Sequence, residues 1–347
     1  MPIFSGSSPH HQQRQDNNLL DYPHHQHQAD NPTNYFDPDP ANYLDPVPVK
    51  FNLDSLDLDM NDVRSGGYRA KCLKPNGIYI QLPSNPLPPT VALLTKQMLT
   101  MAVMTPPSPG MLAAMMDKLD DLSTHSCSEQ DIRLCLEGLF TTMTLPRELR
   151  ACHQRDIARH LLPACPAGFP ALPQPFPDLL YGYCIWSAFT QAQDTVLENI
   201  HPSIPSYAQA TADITFPFFA VELQAAASTG GSLWDAANEC AGSAAACLQA
   251  LDQLNTALSA TGCQGRRIPN VCYCLAIDNN LGQLYTSWKD EDGSTVHMQR
   301  VASYSLSDTE HFARLYACVA SILKWGATTR LQDIRMAADY IGRVGGE

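Results

Sequence analysis

The chain has 347 residues, of which 44% are hydrophobic, and 22 Lys and Arg against 35 Asp and Glu give a formal net charge of −13. No apolar run approaches the roughly 18 residues that cross a membrane, because Lys96 and Gln97 interrupt the best candidate, and this excludes a membrane-spanning protein. The N-terminal residues lack the cationic start and apolar stretch of a secretory signal. We therefore expect an intracellular protein, either cytoplasmic or nuclear.

Residues 1–66 are an acidic segment rich in Pro and His. They hold eight of the 27 prolines, five of the eleven histidines and a net charge of −7, which leaves −6 for the rest of the chain. Such a composition cannot bury enough apolar surface to offset the entropy of ordering, so we predict a disordered tail. The mildly acidic remainder offers little general attraction to nucleic acid.

Residues 67–170 are predicted to be a helical region. Helical spacing covers 91–104 and 111–122, and Ser128 with Asp131 has capping-box spacing before a helix over 132–143, followed by another over 146–162. A stripe of methionines in this region is typical of adaptable core packing and also suits a groove for a protein partner. Its members are Met98, Met101, Met104, Met111, Met115 and Met116.

Residues 171–345 are predicted to be an α/β core. Strands are expected from Asp178, over 216–223, and over 271–277, 282–288 and 295–304, where Asp- and Gly-rich turns favour an antiparallel meander. Ser232 and Asp235 open a long Ala-rich helix over 233–260, and two helices over 307–326 and 328–342 close the chain. This order predicts a central mixed β-sheet flanked by helices.

The twelve cysteines have no CxxC pair of the kind that structural zinc sites use. Cys272 and Cys274 would lie on one face of a strand and could share a core layer. Buried thiols are the favoured interpretation, and a zinc site is the alternative.

Glu222 is the most informative residue, because it ends a strand that is otherwise apolar. A buried carboxylate costs several kcal/mol unless it is paired or bound to a metal. The strand period puts Glu222 and Gln224 on one face, and a neighbouring strand that begins at Asp178 would bring a second carboxylate to the same edge. Two carboxylates and an amide oxygen are ligands that Mg²⁺ accepts, so this edge of the sheet is a candidate Mg²⁺ site. The alternative is that Glu222 pairs with a core Arg or caps backbone groups, and that Asp178 merely starts a strand.

Three segments carry a resemblance to a known family. They are Pro177-Asp178-Leu-Leu-Tyr-Gly-Tyr, Pro217-Phe-Phe-Ala-Val-Glu222-Leu-Gln224 and Gly231-Ser-Leu-Trp-Asp-Ala-Ala-Asn-Glu-Cys240. Over roughly residues 125–342 the chain resembles an uncharacterised family from filamentous fungi with a PD-(D/E)XK nuclease-like core. The resemblance implies a restriction-endonuclease-like fold in which Asp178 and Glu222 bind a metal ion and the Leu223 carbonyl adds a ligand. Asp213 is an alternative for the first acid.

Two residues depart from the family pattern. Gln224 stands where the motif has Lys, so it can orient a water but cannot stabilise a forming charge. Glu239 stands where the pattern has Gln, and it adds negative charge near the expected phosphate site. Both changes point to a weakened or lost activity.

The sequence therefore supports two functional hypotheses. The first is a Mg²⁺-dependent phosphodiesterase acting on nucleic acid, in which Asp178 and Glu222 hold the metal and Gln224 positions the attacking water. The second is a catalytically inactive protein-interaction module or regulatory scaffold that binds a protein partner through the helical region or the tail. Basic residues from the turn after the long helix onward are candidates for phosphate contacts, namely Arg266, Arg267, Lys289, Arg300, Lys324, Arg330 and Arg335.

Overall fold

A seven-stranded mixed β-sheet organises the chain, with the strand order β1-β7-β6-β5-β4-β3-β2. The computed structural model describes residues 62–100, 108–124, 128, 130–131, 133–135, 145–224, 232–262, 267–290 and 292–345. The predictions for residues 1–61 and for most of the helix over 132–143 lie outside this part. The strands are β1 (Ile78–Gln81), β2 (Leu149–His153), β3 (Leu179–Cys184), β4 (Ile214–Leu223), β5 (Val271–Ile277), β6 (Leu281–Lys289) and β7 (Val296–Ser305).

Six helices with described bounds accompany the sheet, and residues 130–131 and 133–135 are also helical. The six are α1 (Pro89–Thr100), α2 (Pro109–Thr124), α3 (Gln191–Glu198), α4 (Leu233–Ala260), α5 (Thr309–Trp325) and α6 (Leu331–Val344). The π-helical turn Gly326–Arg330 joins α5 to α6. These elements confirm the predicted α/β class with a central mixed sheet flanked by helices.

The long helix α4 is the crossover between β4 and β5, which run parallel. Ser232 caps it, because its Oγ accepts the Asp235 N–H at 3.3 Å while Asp235 Oδ2 accepts the Ser232 N–H at 2.8 Å. Its small residues let it lie close against the sheet, where most of its residues are buried. The Cys274 thiol points at the Cys240 carbonyl oxygen of α4, at 3.5 Å.

Helix α5 covers the opposite face of the sheet. The ring of Trp325 meets Tyr273 of β5 edge-on at 5.6 Å, and Tyr273 follows Cys272 and precedes Cys274 on the strand. Since successive strand residues point to opposite faces, α4 and α5 sandwich the sheet between them. The result is a three-layer α/β/α core.

The predicted helix over 146–162 is wrong. Leu149–His153 forms β2, which pairs antiparallel with β3 along its whole length, and a short 3₁₀ turn follows at Arg159–Leu161. Pairing with β3 decides the conformation, and in the paired strand Leu149 and Cys152 are buried. The segment 67–170 is therefore not wholly helical, since it also supplies β1, which pairs parallel with β7. Both edges of the sheet come from residues before 171.

Nine of the ten described cysteines are buried thiols, and Cys165 is exposed. Met98 and Met115 of the methionine stripe are buried in the core, as the packing interpretation expects. None of the helices in the described part of the chain has the length and apolarity that crossing a membrane requires.

Candidate functional site

Asp178 lies directly before β3, beside the end of β4. Antiparallel pairing of Leu179 with Val221 places Asp178 next to the last residues of β4. Its Oδ2 accepts the Leu223 N–H at 2.7 Å. The structure thus brings Asp178 and the Glu222–Gln224 segment together at one end of adjacent strands.

Arg133 forms an ion pair with the other carboxylate oxygen of Asp178. Burial raises the pKa of Asp178, while the Leu223 N–H and the Arg133 guanidinium oppose that rise. Gln154 directly follows β2 and has a φ of 45°. Its N–H donates to the Asp178 carbonyl oxygen at 3.2 Å and so fixes the residue that precedes β3. Arg133 is a site residue that the sequence does not indicate, because a lone Arg 45 positions from Asp178 carries no local signal.

Glu222 is buried, with 3% of its surface exposed. It faces α4, where the Ser243 hydroxyl donates to its Oε1 at 3.0 Å. Burial, followed by the nearby carboxylates of Glu239 and Asp178, raises its pKa well above the usual range, and the Ser243 hydrogen bond opposes this. Glu222 has no ion pair with an Arg within the described residues. A hydrogen bond from the backbone N–H of Asp178 also opposes the rise in its pKa, and this contact agrees with the alternative that Glu222 caps backbone groups.

Gln224 lies on the same side as Glu222, as the strand period predicts. Its Nε2 donates to Glu239 Oε2 of α4 at 3.0 Å. Its own Oε1 is buried and has no hydrogen-bond partner within the described residues. The two departures from the family pattern, Gln224 and Glu239, are therefore in direct contact.

A cavity of about 200 Å³ opens beside these side chains. Glu222, Glu239, Asn238 and Gly242 form its inner wall, and the opposite wall comes from Val63, Tyr68 and the run from Pro173 to Phe176. Two carboxylates thus face a space that can hold a small ligand or an ion.

Residues 62–76, here called the cover segment, lie over this cavity. Arg69 Nε donates to Asn238 Oδ1 at 2.7 Å, and its guanidinium stacks 4.5 Å above the ring of Trp234. Asn238 Nδ2 in turn donates to the Val63 carbonyl oxygen at 2.8 Å. Trp234 thus helps to anchor the cover segment.

Asp213 is not part of this arrangement. It directly precedes β4, whereas Glu222 lies at the other end of that ten-residue strand. Its backbone carbonyl accepts from Ile185, beyond the far end of β3. The structure therefore does not bring the alternative first acid to Glu222.

Several of the predicted phosphate-binding cations are engaged within the fold. Lys289 Nζ contacts Gln249 Oε1 at 2.6 Å and Asp252 Oδ2 at 3.1 Å, and Arg335 donates to the Ala188 carbonyl oxygen. Arg330 is 1% exposed and lies among the rings of Tyr183, Phe218 and Trp325. Arg300 and Lys324 are exposed, and Arg266 lies outside the described residues.

No cluster of three or more His, Cys, Asp or Glu side chains in the described part of the chain is arranged to hold a metal ion. Any cation here would depend on two carboxylates together with neutral oxygen ligands. Such a set is common for Mg²⁺, which keeps several of its waters.

One family matches the chain over residues 116–338, and its description is Domain of unknown function (DUF7924). The chain belongs to this family. The DUF7924 region contains Asp178, Glu222, Gln224 and Glu239, while the cover segment lies before it. No curated protein matches the chain.

Proposed function

We propose that this protein is a PD-(D/E)XK nuclease-like phosphodiesterase that uses Mg²⁺ to cleave nucleic acid, with an activity reduced by the neutral Gln224. The observation that carries the proposal is the hydrogen bond between Asp178 Oδ2 and the Leu223 N–H, at 2.7 Å. It ties the Pro177-Asp178 start of β3 to the Glu222-Leu223-Gln224 end of β4. A mixed sheet flanked by helices also agrees with the restriction-endonuclease-like architecture that we propose.

The side chains present fit a hard divalent cation. Glu222 offers a buried carboxylate at the cavity, and the unpartnered Gln224 Oε1 is a neutral oxygen ligand of the kind that Mg²⁺ accepts. Asp178 has the right chemistry too, but its two oxygens accept from Arg133 and from the Leu223 N–H. It could ligate an ion only by releasing Arg133.

Each residue has a distinct role in the proposed mechanism. The cation, when bound, polarises the scissile phosphate and lowers the pKa of a water. Ser243 orients the Glu222 carboxylate through its hydroxyl. Gln224 orients the attacking water through its amide, but it contributes no positive charge to the transition state.

Arg133 supplies the positive charge that Gln224 lacks. Its guanidinium already lies against Asp178, and guanidinium groups bind phosphate oxygens in a bidentate manner. A nucleic acid backbone that approached this end of the sheet would compete with Asp178 for Arg133. That contact would place the phosphate beside Glu222.

Cleavage assays on the full chain test this proposal. Supercoiled plasmid, single-stranded DNA and RNA are incubated with Mg²⁺ or Mn²⁺ and with the wild type, Glu222→Gln, Asp178→Asn or Asp213→Asn. We expect a loss of about 100-fold or more in Glu222→Gln, a reduction in Asp178→Asn, and no change in Asp213→Asn, which lies at the far end of β4. Equal cleavage by wild type and Glu222→Gln, or none by any of them, would refute the proposal.

A second candidate function is a catalytically inactive module that binds a protein partner. It is favoured by the neutralisation of Asp178 by Arg133 and by the cover segment over the cavity. Wild-type protein that neither binds a divalent cation nor cleaves any of these substrates would support this second function.

A further inference from the structure

The last part of β7 has no strand partner on one of its two sides in the described part of the chain. β1 pairs with residues 296–299 of β7, whereas β6 pairs with β7 as far as Ser305. The N–H of Ser305 is already engaged, because it donates to His311 Nδ1 at 3.2 Å. Residues 300–304 are here called the open edge. The free backbone groups of such an edge can pair with another extended segment.

A groove of about 510 Å³ opens between the start of the open edge and helix α1. Its lining is mostly neutral and includes Leu87, Ala92, Leu99 and Val301. Leu99 keeps 40% of its surface exposed although it is apolar. Apolar surface beside free backbone groups is the combination that binds an extended peptide as an added strand.

Gln299 lines the groove at the place where the pairing with β1 ends. It is 3% exposed, and its Nε2 donates to the carbonyl oxygens of Pro83 and Asn85 at 3.1 and 2.9 Å. Its Oε1 is buried and accepts no hydrogen bond within the described residues. A buried acceptor without a donor is unfavourable, so a ligand that brings an N–H to this part of the groove is favoured. A peptide backbone supplies such a group at every residue except proline.

The two charged side chains that line the groove are both cations. Lys96 of α1 and Arg300 of β7 are exposed, and neither forms an ion pair with a described carboxylate. This charge favours an acidic occupant. It disfavours a second copy of the chain paired through the same edge, because cations would then face cations. Two cations between neutral walls also suit a peptide better than a nucleic acid, whose backbone needs a longer row of positive charge.

We propose that this groove binds an extended acidic segment of a partner protein, which adds to β7 as a strand in line with β1. The backbone of the segment pairs with the open edge, its carboxylates lie beside Lys96 and Arg300, and its apolar residues contact Leu99. This inference goes beyond the proposed function, because none of these residues takes part in the proposed cleavage.

Selection from a library of displayed random peptides, with the full chain as bait, tests the proposal. We expect the enriched peptides to alternate acidic and apolar residues. A fluorescein-labelled synthetic copy of an enriched peptide is then titrated with the wild type and with charge-reversed variants. The dissociation constant should rise about tenfold or more in Lys96→Glu and in Arg300→Glu. Lys324→Glu, an exposed cation of α5 that does not line the groove, is the matched control and should bind as the wild type does.

Ser303→Pro tests the backbone pairing separately from charge. Residues two apart on a strand direct their N–H groups to the same side, so the N–H of Ser303 points to the open side as that of Ser305 does. Proline removes this donor and is tolerated on an edge strand whose N–H faces away from the sheet. We expect peptide binding about tenfold weaker in Ser303→Pro and unchanged in Ser303→Ala.

Each contrary result overturns the proposal. Failure to enrich acidic peptides would do so, and so would equal affinity of the wild type, Lys96→Glu and Arg300→Glu. Binding of single-stranded oligo(dT) that is lost in these two variants, without any peptide binding, would assign the groove to nucleic acid. A dimer of the wild type that dissociates in Arg300→Glu, measured by sedimentation, would assign it to a second copy of the chain. Near-ultraviolet circular dichroism identifies any variant that fails to fold, and if Ser303→Pro is one of these, the charge-reversed variants decide.

Discussion

His297 is a single side chain whose protonation makes the stability of the fold depend on pH. It lies on β7 between the rings of Trp288, at 5.4 Å, and Tyr79, at 6.1 Å, and its Nδ1 accepts from Gln81 Nε2 at 2.9 Å. Partial burial lowers its pKa, and the carboxylate of Asp290 opposes this effect. The neutral ring is therefore favoured in the folded protein.

This environment predicts a loss of stability in mild acid. Unfolded His binds a proton at about pH 6.5, so below that pH the unfolded state holds more protons than the folded one. The free energy of unfolding should fall as the pH drops from about 6.5 through the lowered pKa of His297. His297→Phe keeps a ring in the stack but cannot titrate.

Thermal unfolding of both proteins between about pH 5 and pH 7.5 measures the effect. We expect a smaller decrease in melting temperature with acid for His297→Phe than for the wild type. Identical pH profiles would contradict the prediction. The difference should be modest, because solvent screens a half-exposed ring.

The residue type of Arg330 does not decide whether it contacts a ligand or lies in the core. In sequence it is one more cation after the long helix, and it was a candidate for phosphate contacts. In the fold its guanidinium donates to the carbonyl oxygens of Phe216 and Pro217, and three aromatic rings surround it. Apart from Trp325, these partners lie more than a hundred positions earlier in the chain, so local sequence could not indicate a core role.

At the scale of elements, α4 depends on the capping box at its first turn. Ser232 and Asp235 satisfy each other's backbone N–H groups. Ser232→Ala removes the hydroxyl and leaves the Asp235 N–H without this acceptor, at a cost of about 0.5–2 kcal/mol. We expect a melting temperature lower by a few degrees.

Ser232→Thr is the matched control, because it retains the hydroxyl and should stay close to the wild type. Chemical denaturation of the three proteins measures the free energies of unfolding. A Ser232→Ala variant as stable as Ser232→Thr would show that the cap contributes nothing.

The elements that were predicted well share a local cause. The sequence predicts α4 over the observed Leu233–Ala260, and the strands β4 to β7 within two residues, since caps, turns and apolar runs specify them. The missed strands β1 and β2 are short and lie at the edges of the sheet. Each has too few residues to show the alternation of a strand in its sequence. Their extended conformation is decided by pairing, of β1 with β7 and of β2 with β3.

At the scale of the whole molecule, the cover segment forms part of the wall of the cavity that the carboxylates line. Arg69 is one of its anchors, through Asn238 and Trp234. Arg69→Ala removes both contacts, so we predict faster exchange of backbone amides over residues 62–76 and easier entry to the cavity. Arg64→Ala, at an exposed position of the same segment, is the control.

Hydrogen–deuterium exchange followed by mass spectrometry measures this prediction. We expect exchange over residues 62–76 to accelerate about tenfold in Arg69→Ala, which corresponds to a loss of about 1.4 kcal/mol of local stability. Exchange in α4 and the central strands should stay as in the wild type. Equal exchange in Arg69→Ala and Arg64→Ala would show that Arg69 does not anchor the segment.

The sequence by itself determined the α/β class, the order of elements from β3 onward apart from the short helix α3, and the placement of Glu222 and Gln224 on one side of β4. These follow from periodicity, capping and the two-residue repeat of strands, which act over a few neighbouring residues. Only the tertiary structure decided that Arg133 neutralises Asp178, that Gln224 contacts Glu239, and that the cover segment lies over the cavity. These contacts join residues 45, 15 and up to 175 positions apart. Such partners are selected by packing of the whole chain, because no local pattern specifies which distant side chains will meet.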